Sequence, residues 1–218
     1  MLNFEHLLNI HKDETAIVIG NGPSLLNVPL EFLKSYPSFG SNKIYLLPNF
    51  TPTYYTCINA TVIKQNKKEI KQLKCTKFIK RGLGFRKDYE LSSLNVAMGC
   101  IFSYAPQVCV WEGFTVTYVI LQLAFFIGFK TVLLVGCDHR YKFDGLPNVQ
   151  VYMAGDDPNH FSSEYFKGQT WDTPNFVPVE EAYQMAREAY ELYDRRIINL
   201  TENSALDIFE KGNIKDWS

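Results

Sequence analysis

The chain has 218 residues, of which 46% are hydrophobic and 21% are charged, with a net charge of −1. This composition is typical of one globular domain with a substantial core, and it excludes disorder and a broad electrostatic surface for nucleic acid. No apolar run reaches the ~18 residues of a membrane-spanning helix, and the N-terminus lacks the order of a signal peptide. The five cysteines are scattered and odd in number, which favours a reduced, cytoplasmic setting and no metal site.

Short apolar, β-branched segments alternate with helical patterns through the first part of the chain. The predicted elements are a buried strand at 15–20, a helix at 25–36, a strand at 38–42, an apolar stretch at 44–47, a strand at 53–58, a helix at 60–73 and a strand at 77–80.

Residues 81–109 mix glycine, serine and aromatic residues, which indicates irregular structure or short edge strands. A buried helix at 115–127 with a stop at Gly128, a strand at 131–136, an amphipathic helix at 179–195, a strand at 197–200 and a short helix at 205–211 follow. This alternation predicts an α/β fold, a mostly parallel sheet with helices on both faces. We expect one domain over 1–218, in which residues 141–178, rich in Gly, Pro, Asp and Asn, form a lid.

Polar side chains follow four of the predicted strands. Asn21, Asn42 and Asn59 come after the first three strands, and Asp138-His139-Arg140 follows the strand at 131–136. Ligands of parallel sheets bind at the carboxyl ends of the strands, near the point where strand order reverses. Asparagine amides both donate and accept hydrogen bonds, which suits ribose hydroxyls or a base edge.

The first loop, Gly20-Asn21-Gly22-Pro23-Ser24-Leu25, joins a strand to a predicted helix. Its glycines allow a ligand to approach the backbone closely, and the helix that follows presents N–H groups to a phosphate. The loop matches neither the Walker motif nor the dinucleotide motif G-x-G-x-x-G. The alternative interpretation is a tight turn in which Ser24 caps the helix.

Three segments resemble consecutive nucleotide-binding segments of the bacterial lipooligosaccharide sialyltransferases, glycosyltransferase family forty-two. They are Gly20 to Leu25, Ser41-Asn42-Lys43-Ile44-Tyr45 and Ile58-Asn59. Further along the chain, Thr115-Val116-Thr117, Leu134 to Asp138 and Asn159-His160-Phe161 resemble that family in the same order. The Gly-x-Gly-Pro-Ser-Leu opening is shared with a wider group, which includes flagellin-glycosylating enzymes and archaeal pterin diphosphokinases.

The resemblance implies a Rossmann-like fold of the modified GT-A type and an inverting, metal-independent transfer from a CMP-sugar, such as CMP-sialic acid, to a glycan acceptor. No cofactor is implied. The related enzymes are often multimeric and peripheral to the membrane, although no basic amphipathic anchor is evident here. The implied donor-binding residues are Gly20, Asn21, Gly22, Ser24, Asn42, Asn59, Thr115, Thr117, Asp138 and His139.

The implied catalytic residues are a general base and groups that neutralise the leaving phosphate. His160 is the candidate base, and His139 is its rival, since histidine titrates near neutral pH. A tyrosine position of the family is Arg140 here, with Tyr141 next to it, and the Arg140 guanidinium has the N–H donors for a phosphate. A serine position of the family is Val116.

Two alternative functions share these residues. An ATP- and Mg²⁺-dependent pterin diphosphokinase needs acidic metal ligands near the strand ends, where only Asp138 clearly lies. The pair Asp156-Asp157 invites comparison with the metal-binding Asp-x-Asp of other glycosyltransferases. The second alternative is a nucleotide-binding module without catalysis, suggested by the departures at Val116 and Arg140. For the aspartate pair, which precedes Pro158, a turn or a helix cap is the simpler interpretation.

Overall fold

The computed structural model describes residues 2–95 and 101–217, so Cys100 lies outside the described residues. The helices are α1 (Leu30–Lys34), α2 (Ala60–Gln65), α3 (Lys67–Gln72), α4 (Val116–Ile127) and α5 (Phe176–Leu192). The strands are β1 (Thr15–Ile19), β2 (Ser38–Ser41), β3 (Tyr54–Cys57), β4 (Thr76–Lys80), β5 (Tyr89–Leu91), β6 (Ser93–Leu94), β7 (Val110–Trp111), β8 (Thr131–Val135), β9 (Gln150–Met153), β10 (Gln169–Asp172), β11 (Arg196–Asn199) and β12 (Glu210–Lys211).

Eight of the described strands form one parallel sheet in the order β12-β11-β8-β1-β2-β3-β4-β5. From β1 the chain builds outward through β2 to β5, and then returns to the other side of β1 with β8. The order therefore reverses between β1 and β8, which pair from Thr15 with Thr131 to Ile19 with Val135. The predicted Rossmann-like α/β fold with a mostly parallel sheet is confirmed.

The two faces of the sheet bury separate sets of apolar side chains, because neighbouring residues in a strand point to opposite faces. In β1, Ala16 and Val18 pack with α4 and α5, whereas Ile17 and Ile19 pack with α1, α2 and α3. Helices thus cover both faces, as predicted from the alternation of elements.

Helix α4 is buried from Thr117 to Ile127. It begins at Thr115, whose side chain accepts a hydrogen bond from the Thr117 N–H, and it ends at Gly128, where φ is +111°. Gln122 is fully buried in this apolar helix and bonds both the N–H and the carbonyl of Trp111. The Gln122 amide therefore takes the place of a neighbouring strand for Trp111 in β7, and it satisfies the N–H and the carbonyl of that residue. No helix in the described ranges is long and apolar enough to cross a membrane.

Two predicted helices are interrupted. A 3₁₀ helix, Pro23–Asn27, precedes α1 in place of a helix over 25–36, because Pro29 has no backbone N–H to continue the helix. The helix predicted at 60–73 breaks into α2 and α3 at Asn66, whose side chain donates to the Val62 carbonyl. Asn66 has non-helical backbone angles, and its backbone N–H and its side-chain amide both donate to that carbonyl.

The helix predicted at 205–211 is wrong. The Asn199 side chain donates to the Leu206 carbonyl and to the Ser204 hydroxyl at 3.1 Å, so that this segment is held in an extended turn that ends in β12. Residues 44–47 form a short 3₁₀ helix, Ile44–Leu46. The segment 141–178 contains the antiparallel pair of β9 and β10.

Candidate functional site

The loops after β1 and β8 meet at the point where the strand order reverses. The Gly20 N–H donates to the Val135 carbonyl at 2.8 Å, and the Gly22 N–H donates to the Gly136 carbonyl at 2.9 Å. A Cβ atom on Gly20 would lie 2.3 Å from the Gly136 carbonyl oxygen, far inside van der Waals contact. Glycine is therefore required at position 20 because two backbones touch there.

Asp138 fixes the first loop from the opposite strand. Its carboxylate accepts from the Ser24 hydroxyl at 2.7 Å and from the Ser24 N–H at 3.2 Å. A Cβ atom on Gly22 would lie 2.0 Å from the same carboxylate. Asp138 lines the cavity described next, whereas Ser24 does not, so the geometry gives Ser24 a bracing contact with Asp138.

A cavity of about 480 Å³ opens at this edge of the sheet, a size that suits a small-molecule ligand. Residues from the loops after β1, β2, β3 and β8, from the start of α4 and from segment 141–178 line it together. Of the predicted site residues, the structure brings into this cavity Gly20, Asn21, Gly22, Asn42, Asn59, Thr115, Thr117, Asp138, His139, Arg140, Tyr141 and His160.

The three asparagines have different partners. Asn21 donates to the Ser41 hydroxyl at 3.0 Å, and its Oδ1 atom is buried without a hydrogen-bond partner in the described part of the chain. Asn42 has a φ of +48° and accepts from the Cys57 thiol. Asn59 caps α2 by accepting from two backbone N–H groups, and it donates to Asp172 at 2.7 Å. Asn21 thus has a buried acceptor that the described residues do not satisfy, while Asn59 already has structural partners.

The N-terminus of α4 also faces the cavity. Thr115 caps the helix and lies 3.4 Å from the Tyr183 hydroxyl, and both Thr115 and Thr117 line the cavity. The first turn of this buried helix carries partial positive charge, which favours an anion nearby.

His160 contacts a buried carboxyl group inside segment 141–178. Its Nδ1 atom lies 2.8 Å from Oδ2 of Asp157, and the Asp157 side chain is fully buried. The other carboxylate oxygen accepts from the Asn159 N–H at 2.8 Å, so the predicted turn is present as well. Asp156 is exposed and pairs with Lys167. The contact of Asp157 with His160 was not predicted, although the position of Asp157 three residues before the histidine is a usable signal.

His139 and Arg140 occupy different environments beside β8. His139 has a φ of +55° and its Nε2 atom lies 3.0 Å from Glu180, while its ring packs edge-on against Phe176. The Arg140 side chain is exposed, and its guanidinium donates to the Asn203 carbonyl at 3.3 Å. Both residues line the cavity. Glu180 is a further residue that the sequence analysis did not identify.

Aromatic side chains fasten segment 141–178 to the sheet. Four of them are buried among the residues that cover the α1–α3 face: Phe161, Tyr165, Phe166 and Trp171. By contrast, 67% of the Tyr152 side chain is exposed. The packing therefore stabilises the predicted lid against the sheet.

Lys43 is a buried cation next to Asn42 that the sequence analysis did not single out as a site residue. Its Nζ atom donates to the Tyr165 carbonyl and to Gln169, and it lies 5.1 Å from the centre of the Phe166 ring. Burial lowers the pKa of Lys43 to about 8, against the opposing effect of Asp157 and Glu69, which raise it. The lysine thereby connects the loop after β2 to segment 141–178.

Potential metal ligands are not clustered in the described part of the chain. Within residues 2–95 and 101–217, no three His, Cys, Asp or Glu side chains are grouped closely enough to hold a metal ion. Asp138, the acid at the reversal of strand order, has both carboxylate oxygens bonded to Ser24.

Comparison with known proteins identifies similar structures. No family model and no curated protein matches the sequence. The Maf glycosyltransferase from Magnetospirillum magneticum AMB-1 has a TM-score of 0.57 at 15% identity, over 95% of this chain and 35% of that chain. The sialyltransferase CstII from Campylobacter jejuni, in complex with the substrate analogue cytidine-5'-monophosphate, has a TM-score of 0.49 at 16% identity, over 92% of this chain and 85% of that chain.

The same CstII sialyltransferase in complex with CMP-3FNeuAc gives a TM-score of 0.47 at 15% identity, over 92% of this chain and 87% of that chain. The chain spans about a third of the length of the Maf glycosyltransferase. At these identities the similarity concerns the fold. The chain therefore has the Rossmann-like α/β fold that is also found in a glycosyltransferase.

Proposed function

We propose that the chain is a glycosyltransferase that transfers sialic acid or a related sugar from a CMP-sugar to a glycan acceptor, with inversion and without a metal ion. The observation that carries this proposal is one cavity in which the strand-end asparagines and a carboxylate-bound histidine meet. The resemblance of the segments around Asn21, Asn42 and Asn59 to nucleotide-binding segments supports the same assignment.

In the proposed complex, the cytidine and ribose lie against Asn21, Asn42 and Asn59. The Asn21 side-chain amide, which lines the cavity and can both donate and accept, is the proposed contact to the donor. The phosphate lies near the first turn of α4, where Thr115 and Thr117 line the cavity. In this proposal, the sugar lies between the phosphate and segment 141–178.

In the proposed reaction, His160 Nε2 takes the proton of an acceptor hydroxyl as that oxygen attacks the anomeric carbon. The bond between the anomeric carbon and the phosphate oxygen breaks, CMP leaves with the electron pair, and the anomeric configuration inverts. Arg140, Tyr141 and backbone N–H groups stabilise the charge on the departing phosphate. Histidine suits this role because it exchanges a proton near neutral pH.

The first test is a thermal-shift titration with CMP, UDP, GDP and ATP, each with and without Mg²⁺. A ligand at 100 times its Kd that binds only the folded chain adds about 2.7 kcal/mol to the free energy of unfolding. We expect CMP to raise the melting temperature without Mg²⁺. A shift that requires Mg²⁺ with UDP, GDP or ATP would contradict the donor assignment and favour Asp138 or the Asp156-Asp157 pair as metal ligands, and such a shift with ATP alone would favour the diphosphokinase alternative.

The second test compares His160→Ala with His6→Ala, a histidine in contact with Tyr89 and outside the cavity. Loss of a general base costs about 10²–10⁴-fold in rate, so we expect His160→Ala to lose transfer from a CMP-sugar to mixed glycan acceptors and to keep its CMP thermal shift. Full transfer activity in this variant would refute the role of His160 as the general base. CMP binding without turnover of any CMP-sugar by the wild type would favour a non-catalytic module.

A further inference from the structure

The His160 ring is held by neighbours on its face, its edge and one nitrogen. Tyr165 stacks on the ring at 4.0 Å between centroids and 6° between planes, and Phe166 lies against it at 5.2 Å and a steep angle. Nδ1 lies 2.8 Å from Asp157. Nε2 has no hydrogen-bond partner among the described residues, so the contacts within the protein use one nitrogen and leave the other for a ligand.

Asp157 is itself held in a single orientation. Its N–H donates to the Ser163 carbonyl, and its Oδ1 accepts from the Asn159 N–H, both at 2.8 Å. Only the second oxygen is directed at His160. The carboxylate is buried, and its charge lies close enough to the Lys43 ammonium to raise the pKa of Lys43.

One Asp157 oxygen binds the Asn159 N–H and the other faces His160 Nδ1, and this arrangement determines the tautomer of the imidazole. A carboxylate oxygen accepts from Nδ1–H and thereby leaves Nε2 as the basic nitrogen. The same negative charge stabilises the imidazolium that forms when Nε2 takes a proton. We infer that Asp157 is a positioning residue, which holds His160 in the tautomer with the proton on Nδ1 and supports its protonation during transfer. The catalytic part of this inference rests on the proposed function, whereas the tautomer does not.

Asp157→Asn has an outcome that the hydrogen bonds dictate. The Asn159 N–H needs an acceptor, so the amide oxygen of the new side chain takes that place and its NH₂ group faces Nδ1 of His160. An NH₂ donor forces Nδ1 to become the acceptor, and the proton moves to Nε2. The variant therefore keeps the shape of the site and inverts the tautomer.

Asp156→Asn is the matched control. Asp156 is the adjacent residue, its side chain is 71% exposed, and its partner is the exposed Lys167. The same chemical change at this position leaves the His160 contacts intact. We expect its tautomer and its turnover to equal those of the wild type within about twofold, because an exposed ion pair contributes little.

The direct readout is ¹⁵N NMR of the histidine rings in the neutral form. The chain has four histidines, and the His160 signals are those that His160→Ala removes. We expect the Nδ1–H tautomer in the wild type and in Asp156→Asn, and the Nε2–H tautomer in Asp157→Asn. A wild type with the Nε2–H tautomer overturns the inference, and this measurement needs no variant of Asp157 to fold.

Turnover of the CMP-sugar is the second readout. We expect Asp157→Asn to lower kcat by about 10²–10⁴-fold with little change in KM for the donor and an unchanged CMP thermal shift. Asp157→Glu should recover part of the rate, because it restores a carboxylate. Unchanged kcat with an inverted tautomer would refute the catalytic role. The expected tautomers in a chain without CMP binding would refute the proposed function and leave the positioning by Asp157 established.

Discussion

At the scale of single residues, Gly22 leaves no room for a side chain beside the Asp138 carboxylate. The hydrogen that takes the place of a Cβ on Gly22 faces the carboxylate that braces Ser24. A methyl group at position 22 would have to displace that carboxylate from its hydrogen bonds. The close approach of the loop after β8 therefore explains why Gly20, Gly22 and Ser24 occupy their positions, in addition to any role in binding a ligand.

Gly22→Ala should destabilise the fold by about 1–3 kcal/mol, the usual cost of overpacking, and weaken CMP binding. The control is Gly155→Ala, where a Cβ atom would meet no other atom within 4 Å. Melting temperatures and CMP titrations of both variants check the prediction. Equal melting temperatures for the two variants would contradict the described contact between Gly22 and Asp138.

Lys43 gives the chain a specific dependence of stability on pH. Its pKa of about 8 in the folded chain lies below the ordinary value of 10.5, so between these pH values the unfolded chain binds more protons. The contribution of Lys43 to the free energy of unfolding therefore rises with pH across this window, by roughly 3 kcal/mol at most. Below pH 8 the lysine is charged in both states, and the cost of burying that charge is present in full.

Urea denaturation of the wild type and of Lys43→Met at several pH values from 7 to 10.5 tests this expectation. The difference in unfolding free energy, wild type minus variant, should rise with pH. Lys64→Met, at an exposed position of α2, is the control and should give a difference that is constant with pH. Parallel pH profiles for the wild type and Lys43→Met would show that Lys43 keeps its ordinary titration in the folded chain.

The positions of the site residues were predictable, and most of their partners were not. Strand ends of a parallel sheet share one edge, so Asn21, Asn42, Asn59 and Asp138 gather in one cavity once the strands are recognised. The pairing of His139 with Glu180 and the burial of Lys43 join residues far apart in sequence. Such contacts depend on how helix α5 and segment 141–178 pack, which no local pattern encodes.

At the scale of elements, Asn59 joins helix α2 to strand β10. Its side-chain oxygen caps the helix, and its side-chain nitrogen donates to Asp172. Asn59→Asp keeps the cap, since a carboxylate also accepts hydrogen bonds from the first turn. However, this change places a second carboxylate against that of Asp172. The exchanged pair N59D/D172N restores one donor and one acceptor between the two elements.

We expect N59D to be destabilised and N59D/D172N to recover most of the lost stability, with a coupling energy of about 0.5–3 kcal/mol. Asn59→Ala should lose about 0.5–2 kcal/mol from the cap alone. Unfolding free energies of N59D, D172N and the double variant give the coupling directly. Additive effects of the two single substitutions would show that Asn59 and Asp172 do not interact.

Apolar periodicity identified the long helices and six of the eight described strands of the central sheet, but it did not identify β5 and β12. Interruptions within helices came from side chains. The Pro29 ring and the Asn66 amide each end a helical segment that the apolar pattern alone extends. The segment at 205–211 has helical spacing, but Asn199 takes the Leu206 carbonyl that a helix would need. Tertiary hydrogen bonds overrode local preference at that segment.

At the scale of the whole molecule, three loops that carry the proposed donor contacts also hold segment 141–178. The Phe161 N–H donates to the Asn21 carbonyl, Lys43 bonds Tyr165, and Asn59 bonds Asp172. A donor that orders these loops would therefore stabilise the segment. The antiparallel pair of β9 and β10 in this segment has two strands and is partly exposed. The pairing of these strands therefore contributes little by itself to the stability of the segment.

Hydrogen exchange should therefore be faster for the amides of β9 and β10 than for those of β1 and β8, which are paired on both sides and buried. Saturating CMP should slow exchange in residues 159–172 and leave β8 unchanged. Mass spectrometry of exchanged peptides resolves these regions. Equal protection of β9 and β8 without CMP, or no response of 159–172 to bound CMP, would contradict this coupling.

Strand β1 lies between β2, its near neighbour in the chain, and β8, which is synthesised long afterwards. A nascent chain that ends before Thr131 has one edge of its central strand unpaired, and that strand is made of apolar residues. Folding must close this large loop before the sheet is complete, which slows the search for the native pairing. We expect partly synthesised or refolding chains to associate through the β1 edge.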